Sequence, residues 1–158
     1  MSKIGAIVFI YLTLIMSLFT HKVVYAESII IENAYVRETI PGTNISSAYM
    51  VITNKSGKAV TLVGASSKIS PRIEIHQHIM QKGQNAMMQM RKKESLQISA
   101  NETVILQPSG LHLMIFEVNE PLKDQQSVTM TLHFLNHKNI NIQLAVKSIK
   151  RKQVQHHH

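Results

Sequence analysis

The stretch Thr103-Val104-Ile105-Leu106-Gln107-Pro108-Ser109-Gly110-Leu111-His112-Leu113-Met114-Ile115-Phe116-Glu117 decides how this chain is read. It is mostly apolar and β-prone. Successive side chains of a strand point to opposite faces, so residues two apart share one. Leu111, Leu113 and Ile115 therefore face one way, and His112 and Met114 face the other. An upstream segment offers a second set of this kind: Ile73-Glu74-Ile75-His76-Gln77-His78-Ile79-Met80, then Met87-Met88-Gln89-Met90. Imidazoles and thioethers presented side by side are what a soft metal ion needs.

Outward from this stretch the chain reads as short strands separated by turn signals. Ser28 to Asn33 runs into Ala34 to Arg37, and Pro41-Gly42-Thr43-Asn44 is a turn. Ser47 to Thr53 is a strand stopped by Asn54 to Lys58, and Ala59 to Ala65 follows. Arg72 to His78 alternates, with Ile73 and Ile75 opposed to Glu74, His76 and His78. Lys82-Gly83-Gln84-Asn85 reads as a loop, Leu96 to Ser99 and Thr103 to Leu106 as strands around a turn. In Ser127 to Phe134, Val128, Met130 and Leu132 oppose Thr129, Thr131 and His133; Asn139 to Lys147 is the last strand. No mature segment has a helical period. Many short strands with turn signals predict an all-β sandwich or barrel.

The start of the chain has a different character. Met1-Ser2-Lys3 is basic, Ile4 to Thr20 is almost wholly apolar, and Val24 and Ala26 suit a small-residue cleavage site. This predicts a signal peptide over 1–26 and export to the periplasm; an uncleaved anchor is the alternative. Residues 27–149 are then one domain of a size that supports one core. Residues 150–158, basic and ending in His156-His157-His158, are an expected disordered tail, either native or a cloning remnant.

The 158 residues carry 17 Lys+Arg against 9 Asp+Glu; setting aside Lys3 and Lys22 leaves 15 against 9, a formal +6. The excess gathers at Lys147, Lys150, Arg151 and Lys152, without the aromatic partners of a nucleic-acid surface. We therefore expect no nucleic-acid partner. There is no cysteine. That excludes disulfides, thiol nucleophiles, thiolate zinc sites and blue-copper sites.

Nine methionines stand against that zero, and Met80, Met87, Met88 and Met90 fall within eleven residues. His-x-Met occurs twice, at His78-Ile79-Met80 and His112-Leu113-Met114, where chance alone supplies about 0.5. Thioethers and imidazoles suit Cu(I), whereas hard cations want carboxylates, and Glu74 is the nearby carboxylate. The neutral form of the histidines binds, so acid should weaken such a site. Against this stand plainer readings: Met114 as core filler, His112 as a satisfied polar residue, Met87 and Met88 as packing or loop residues. His78 and Met80 fit a secondary set or a solvated edge, and His133 and His137 read as surface residues.

From Ile31 to Val146 the chain resembles the periplasmic copper chaperones of the PCu(A)C type. That family's pattern is a His, a downstream Met, about twenty-one residues, then His-x-Met; here 21 residues intervene between Met90 and His112. Ile73-Glu74-Ile75-His76 is similar to the family's Glu-Leu-His stretch, and Met90-Arg91 to its Met-Arg pair. Pro108-Ser109-Gly110-Leu111-His112-Leu113-Met114 is similar to Pro-Gly-Gly-x-His-x-Met, with Ser109 where Gly is usual. Ala34-Tyr35-Val36-Arg37, Ala48-Tyr49-Met50 and Asn54 fit its opening strands. The interval from His76 to Met90 is about three residues longer than usual, which leaves Met87 or Met88 as substitutes for Met90.

The resemblance implies a cupredoxin-like, Greek-key β-sandwich holding Cu(I) through His76, Met90, His112 and Met114. It also implies delivery of copper to the binuclear centre of cytochrome c oxidase, alongside a thioredoxin-like assembly protein. We expect a monomeric carrier and not an enzyme, since no catalytic grouping stands out, and Cu(II) at a secondary site. The alternatives are an exported sandwich that binds or stores copper without transfer, a copper oxidase fragment, and an adhesion sandwich whose Met and His residues are incidental.

Overall fold

The computed structural model describes residues 28–80 and 88–148. The expected signal peptide, the Lys82 to Ala86 loop, Met87 and the tail over 150–158 lie outside the described residues. Every helix or strand element among the described residues is a strand. They are β1 (Ile29–Arg37), β2 (Ser46–Asn54), β3 (Val60–Ser66), β4 (Arg72–Met80), β5 (Met88–Lys93), β6 (Leu96–Ile98), β7 (Thr103–Leu106), β8 (Leu111–Phe116), β9 (Ser127–Leu135) and β10 (Ile140–Lys147).

The strands form one sheet in the order β5-β4-β8-β7-β2-β1-β10-β9-β3-β6, with β8 also pairing β2. β1 runs parallel to β10 and β7 to β8; the other pairs are antiparallel. The sheet folds over a single core. Ile75, Leu113 and Ile115 from the β4–β8 side join Leu62, Met130, Leu132 and Leu144 from the β3–β9–β10 side in one buried cluster. Each such side chain contributes about 1.5–3 kcal/mol of apolar burial. This is the sandwich that the alternation of Ile, Val and Leu predicts.

Asn54 ties the two halves of the sandwich together. It is fully buried. Its Nδ2 donates to the carbonyls of Lys58, Ile98 and Ser99 at 2.8, 3.1 and 2.9 Å. Its Oδ1 accepts from the Ser56 amide at 2.9 Å and the Ser56 hydroxyl at 2.6 Å. The side chain thus closes the β2 end onto β6 with its polar atoms satisfied, as burial requires.

Two features depart from the sequence reading. β4 continues to Met80, and β5 is a strand that alternation does not reveal. β5 is a sheet edge with mostly exposed residues, so its faces carry no apolar and polar contrast. The Pro-Ser-Gly turn before β8 has its left-handed residue at Ser109 (φ 61°), the position where glycine would cost nothing.

Candidate metal centre

The register around β4 builds the site. β8 and β4 pair with Ile75 opposite Leu113, His76 opposite His112, and Glu74 opposite Met114. Directly opposed residues point to the same face. Ile75 and Leu113 fall on the core face, so His76, His112, Glu74 and Met114 gather on the other. On the far side of β4, β5 places Lys92 opposite His76 and Met90 opposite His78. On the far side of β8, Ser47 of β2 lies opposite Met114.

His112 is the centre of this face and is 3% exposed. Its ring centroid lies 6.0 Å from that of His76, 5.2 Å from that of His78 and 6.3 Å from that of Tyr49. The His76 ring also packs 5.7 Å from Phe116, over which the Arg72 guanidinium sits at 4.1 Å. Aromatic rings thus wall the two imidazoles on both flanks.

Hydrogen bonds fix which nitrogen each ring offers. His112 Nδ1 donates to the Gly110 carbonyl at 3.1 Å, which leaves the Nε2 lone pair free. His76 Nε2 donates to Glu74 Oε2 at 2.8 Å, which leaves Nδ1. That Nδ1 is buried and has no partner, the one such side-chain atom among the described residues. A buried, unpartnered lone pair is costly unless something binds it. Outer partners that hold an imidazole in one tautomer are the usual support of a metal-ligating histidine.

Burial favours the neutral, binding form of His112. Burial pushes the His112 pKa below the usual His value; the Gly110 hydrogen bond opposes that, and His78 and His76 nearby reinforce it. The hydrogen bond from His76 holds the Glu74 carboxyl below its ordinary value, against a burial effect, with Lys92, His76 and Arg72 adding to it.

Of the four predicted ligands, the fold brings His76, His112 and Met114 to one seam. Met114 is half-buried, and its sulfur accepts a hydrogen bond from Ser47 Oγ at 3.6 Å. Met90 stands one rung away, opposite His78, and is 45% exposed. His78 is what the four-residue set omits. It lies between Met90 and His112, and its amide donates to the Gly110 carbonyl at 3.3 Å. The period-two His76-x-His78 spacing was the signal for it.

His133 and His137, read as surface residues, are half-buried and partnered: Ser66 Oγ and Ser28 Oγ lie 2.8 Å from their Nε2 atoms. Among the described residues no three of His, Cys, Asp and Glu are grouped to hold a metal ion.

The family described as "Putative lipoprotein LpqE-like" matches residues 29–146. The chain belongs to that family. A relative from Leifsonia xyli subsp. xyli, "Putative lipoprotein Lxx21020", is 26% identical over 109 residues, which are 69% of this chain and 63% of that relative's length. Among solved structures, the copper-bound PCuAC domain from PmoF2 superposes with a TM-score of 0.65 at 21% identity, covering 78% of this chain and 97% of that one. The apo form of DR1885 from Deinococcus radiodurans superposes at 0.59 with 30% identity, covering 78% and 81%. The Cu(I) form of DR1885 gives 0.57 at 27% identity, covering 77% and 81%. The fold is the cupredoxin-like sandwich of PCuAC domains, as the resemblance implied.

Proposed function

We propose that this chain is an exported copper carrier whose cargo is Cu(I), held by His76, Met90, His112 and Met114. The observation that carries the reading is the oriented imidazole pair. His76 presents a buried, unpartnered Nδ1, and His112, its direct cross-strand partner, keeps Nε2 free. Both are soft enough for Cu(I), and thioethers flank them on either side. The copper-bound PCuAC domain and the Cu(I) form of DR1885 support the choice of metal. The lipoprotein descriptions of the family and of the Leifsonia relative, with the leader-like start, support export to the periplasm.

A carrier must hold its ion and then release it. The seam supplies both. His112 is walled in, whereas Met90 is on the exposed edge strand, where an incoming ligand can displace it first. The acceptor we propose is the binuclear copper centre of cytochrome c oxidase, reached directly or through a thioredoxin-like assembly protein. The carrier acts as a monomer and performs no catalysis.

Anaerobic competition against a Cu(I) chelator tests the site. His112→Ala and Met114→Ala should each weaken binding, by at least about 100-fold and 10-fold respectively, if these atoms ligate the ion. Wild-type affinity in both variants would refute the assignment. Transfer is tested separately, by mixing the Cu(I)-loaded protein with the apo oxidase subunit; no movement of copper would leave a storage protein.

A further inference from the structure

Beside Met90, the β4–β5 hairpin carries three soft donors that the site above does not use: Met80, Met88 and His78. Met80 opposes Met88, and His78 opposes Met90 on the next rung. Opposed side chains in such a ladder start about 5 Å apart, and successive rungs on one face about 7 Å apart. Three thioethers and one imidazole therefore share one face over two adjacent rungs. The residues between them, Ile79 and Gln89, point to the other face.

These methionines do not serve the core. Met80, Met88 and Met90 are 63%, 50% and 45% exposed. β5 is the sheet's edge strand, where charged residues are the usual protection against stray pairing. Exposed thioethers give neither burial nor charge there, and they are open to oxidation. Their register sets Met80 opposite Met88 with His78 on the next rung of the same face, and no carboxylate on either rung to attract a hard cation. Thioethers suit Cu(I) and bind it without releasing a proton.

We propose that Met80 and Met88, with His78 from the next rung, form a second Cu(I) site on this hairpin face, beside the seam site that Met90 completes. The His78 ring is 5.2 Å from that of His112, so the two sites adjoin. The hairpin site is the outer, exposed one, which makes it the place where copper is taken up before it reaches the walled-in pair. That inward order rests on the function proposed above; the binding itself does not.

The test uses the full chain with His156→Ala, His157→Ala and His158→Ala, so that the terminal histidines do not bind. Ag(I), a redox-stable stand-in for Cu(I), is titrated while the methionine methyl resonances are followed by NMR. Two equivalents are expected, one of them shifting the Met80 and Met88 methyls. Met80→Leu with Met88→Leu, a near-isosteric change at exposed positions, should remove one equivalent and leave the other. His112→Ala with Met114→Ala should leave the Met80 and Met88 shifts in place. Two equivalents in the double-Leu variant, or unmoved Met80 and Met88 methyls in the parent, would overturn the hairpin site. If the His112/Met114 variant instead keeps both equivalents, the seam assignment fails while the hairpin site stands.

Discussion

The two histidines of the β4–β8 seam and the two near the end of β9 differ in what burial leaves unpartnered. His133 and His137 each have a serine hydroxyl at 2.8 Å, and His137 Nδ1 also lies 2.7 Å from the Lys138 carbonyl. His76 and His112 are each restrained by one nitrogen, by Glu74 and by the Gly110 carbonyl. His137 has both nitrogens engaged and His133 its Nε2, and neither leaves a buried nitrogen without a partner, whereas His76 does so at Nδ1. A restrained ring whose other nitrogen is buried and unpartnered is the mark of a ligand.

The largest effect that follows is a contrast in copper affinity. His112→Ala should lower Cu(I) affinity at least about 100-fold, while His133→Ala with His137→Ala should leave it within about twofold. Chelator competition on both proteins checks this. Equal losses would erase the distinction between the two pairs.

Next comes the tautomer lock. Glu74→Gln removes the carboxylate that accepts from His76 Nε2, so the ring is less firmly held with Nδ1 forward. Copper affinity should fall about tenfold, within the range for outer partners of metal-bound histidines. Thermal stability should change far less. A variant that binds copper as tightly as wild type would show that His76 orients without Glu74.

A smaller effect concerns acid, in the metal-free protein. The His112 pKa is depressed in the folded state, so its neutral form is favoured there. Below about pH 6.5 the unfolded chain takes up a proton that the buried ring resists. The contribution of His112 to stability is therefore present above that pH and lost as pH falls through the folded value. Glu74, also depressed, adds stability above the ordinary Glu range that is lost as pH falls through its own folded pKa. Imidazole NMR titration should find His112 below the ordinary His value, and unfolding midpoints should drop across the same window.

Smallest is Ser109→Gly. Ser109 holds a left-handed backbone (φ 61°), which costs an L-residue about 1–2 kcal/mol, partly offset by the greater unfolded-state freedom of glycine. A gain of up to about 1 kcal/mol in denaturant unfolding is expected, with copper affinity unchanged.

Most of the fold was legible because its strands bury one face. Val128, Met130 and Leu132 alternate with threonines and a histidine, and all three are buried. β5 was not legible, because an exposed edge strand has no reason to alternate. The His112-x-Met114 pair was legible from period two alone. The register of His76 against His112 was not, since strand pairing depends on contacts distant in sequence. Nor was the approach of His78, whose amide donates to the Gly110 carbonyl just ahead of β8. Asn54 fitted the family's opening strands, yet its two long-range hydrogen bonds, to the Ile98 and Ser99 carbonyls, become visible when the end of β6 is brought to the end of β2.

The direct pairing of His76 with His112 also governs where this chain tolerates insertions. One residue added inside β4 would reverse the facing of every position beyond it, trading His76 for Ile75 or Gln77 and turning donors into the core. Added residues between Met80 and Met88 leave both described ladders in step, because they fall past the last rung among the described residues. The longer His76-to-Met90 interval is thus the kind of length change this architecture can absorb: the spacing between donors along the chain can drift while their spacing across the sheet stays fixed.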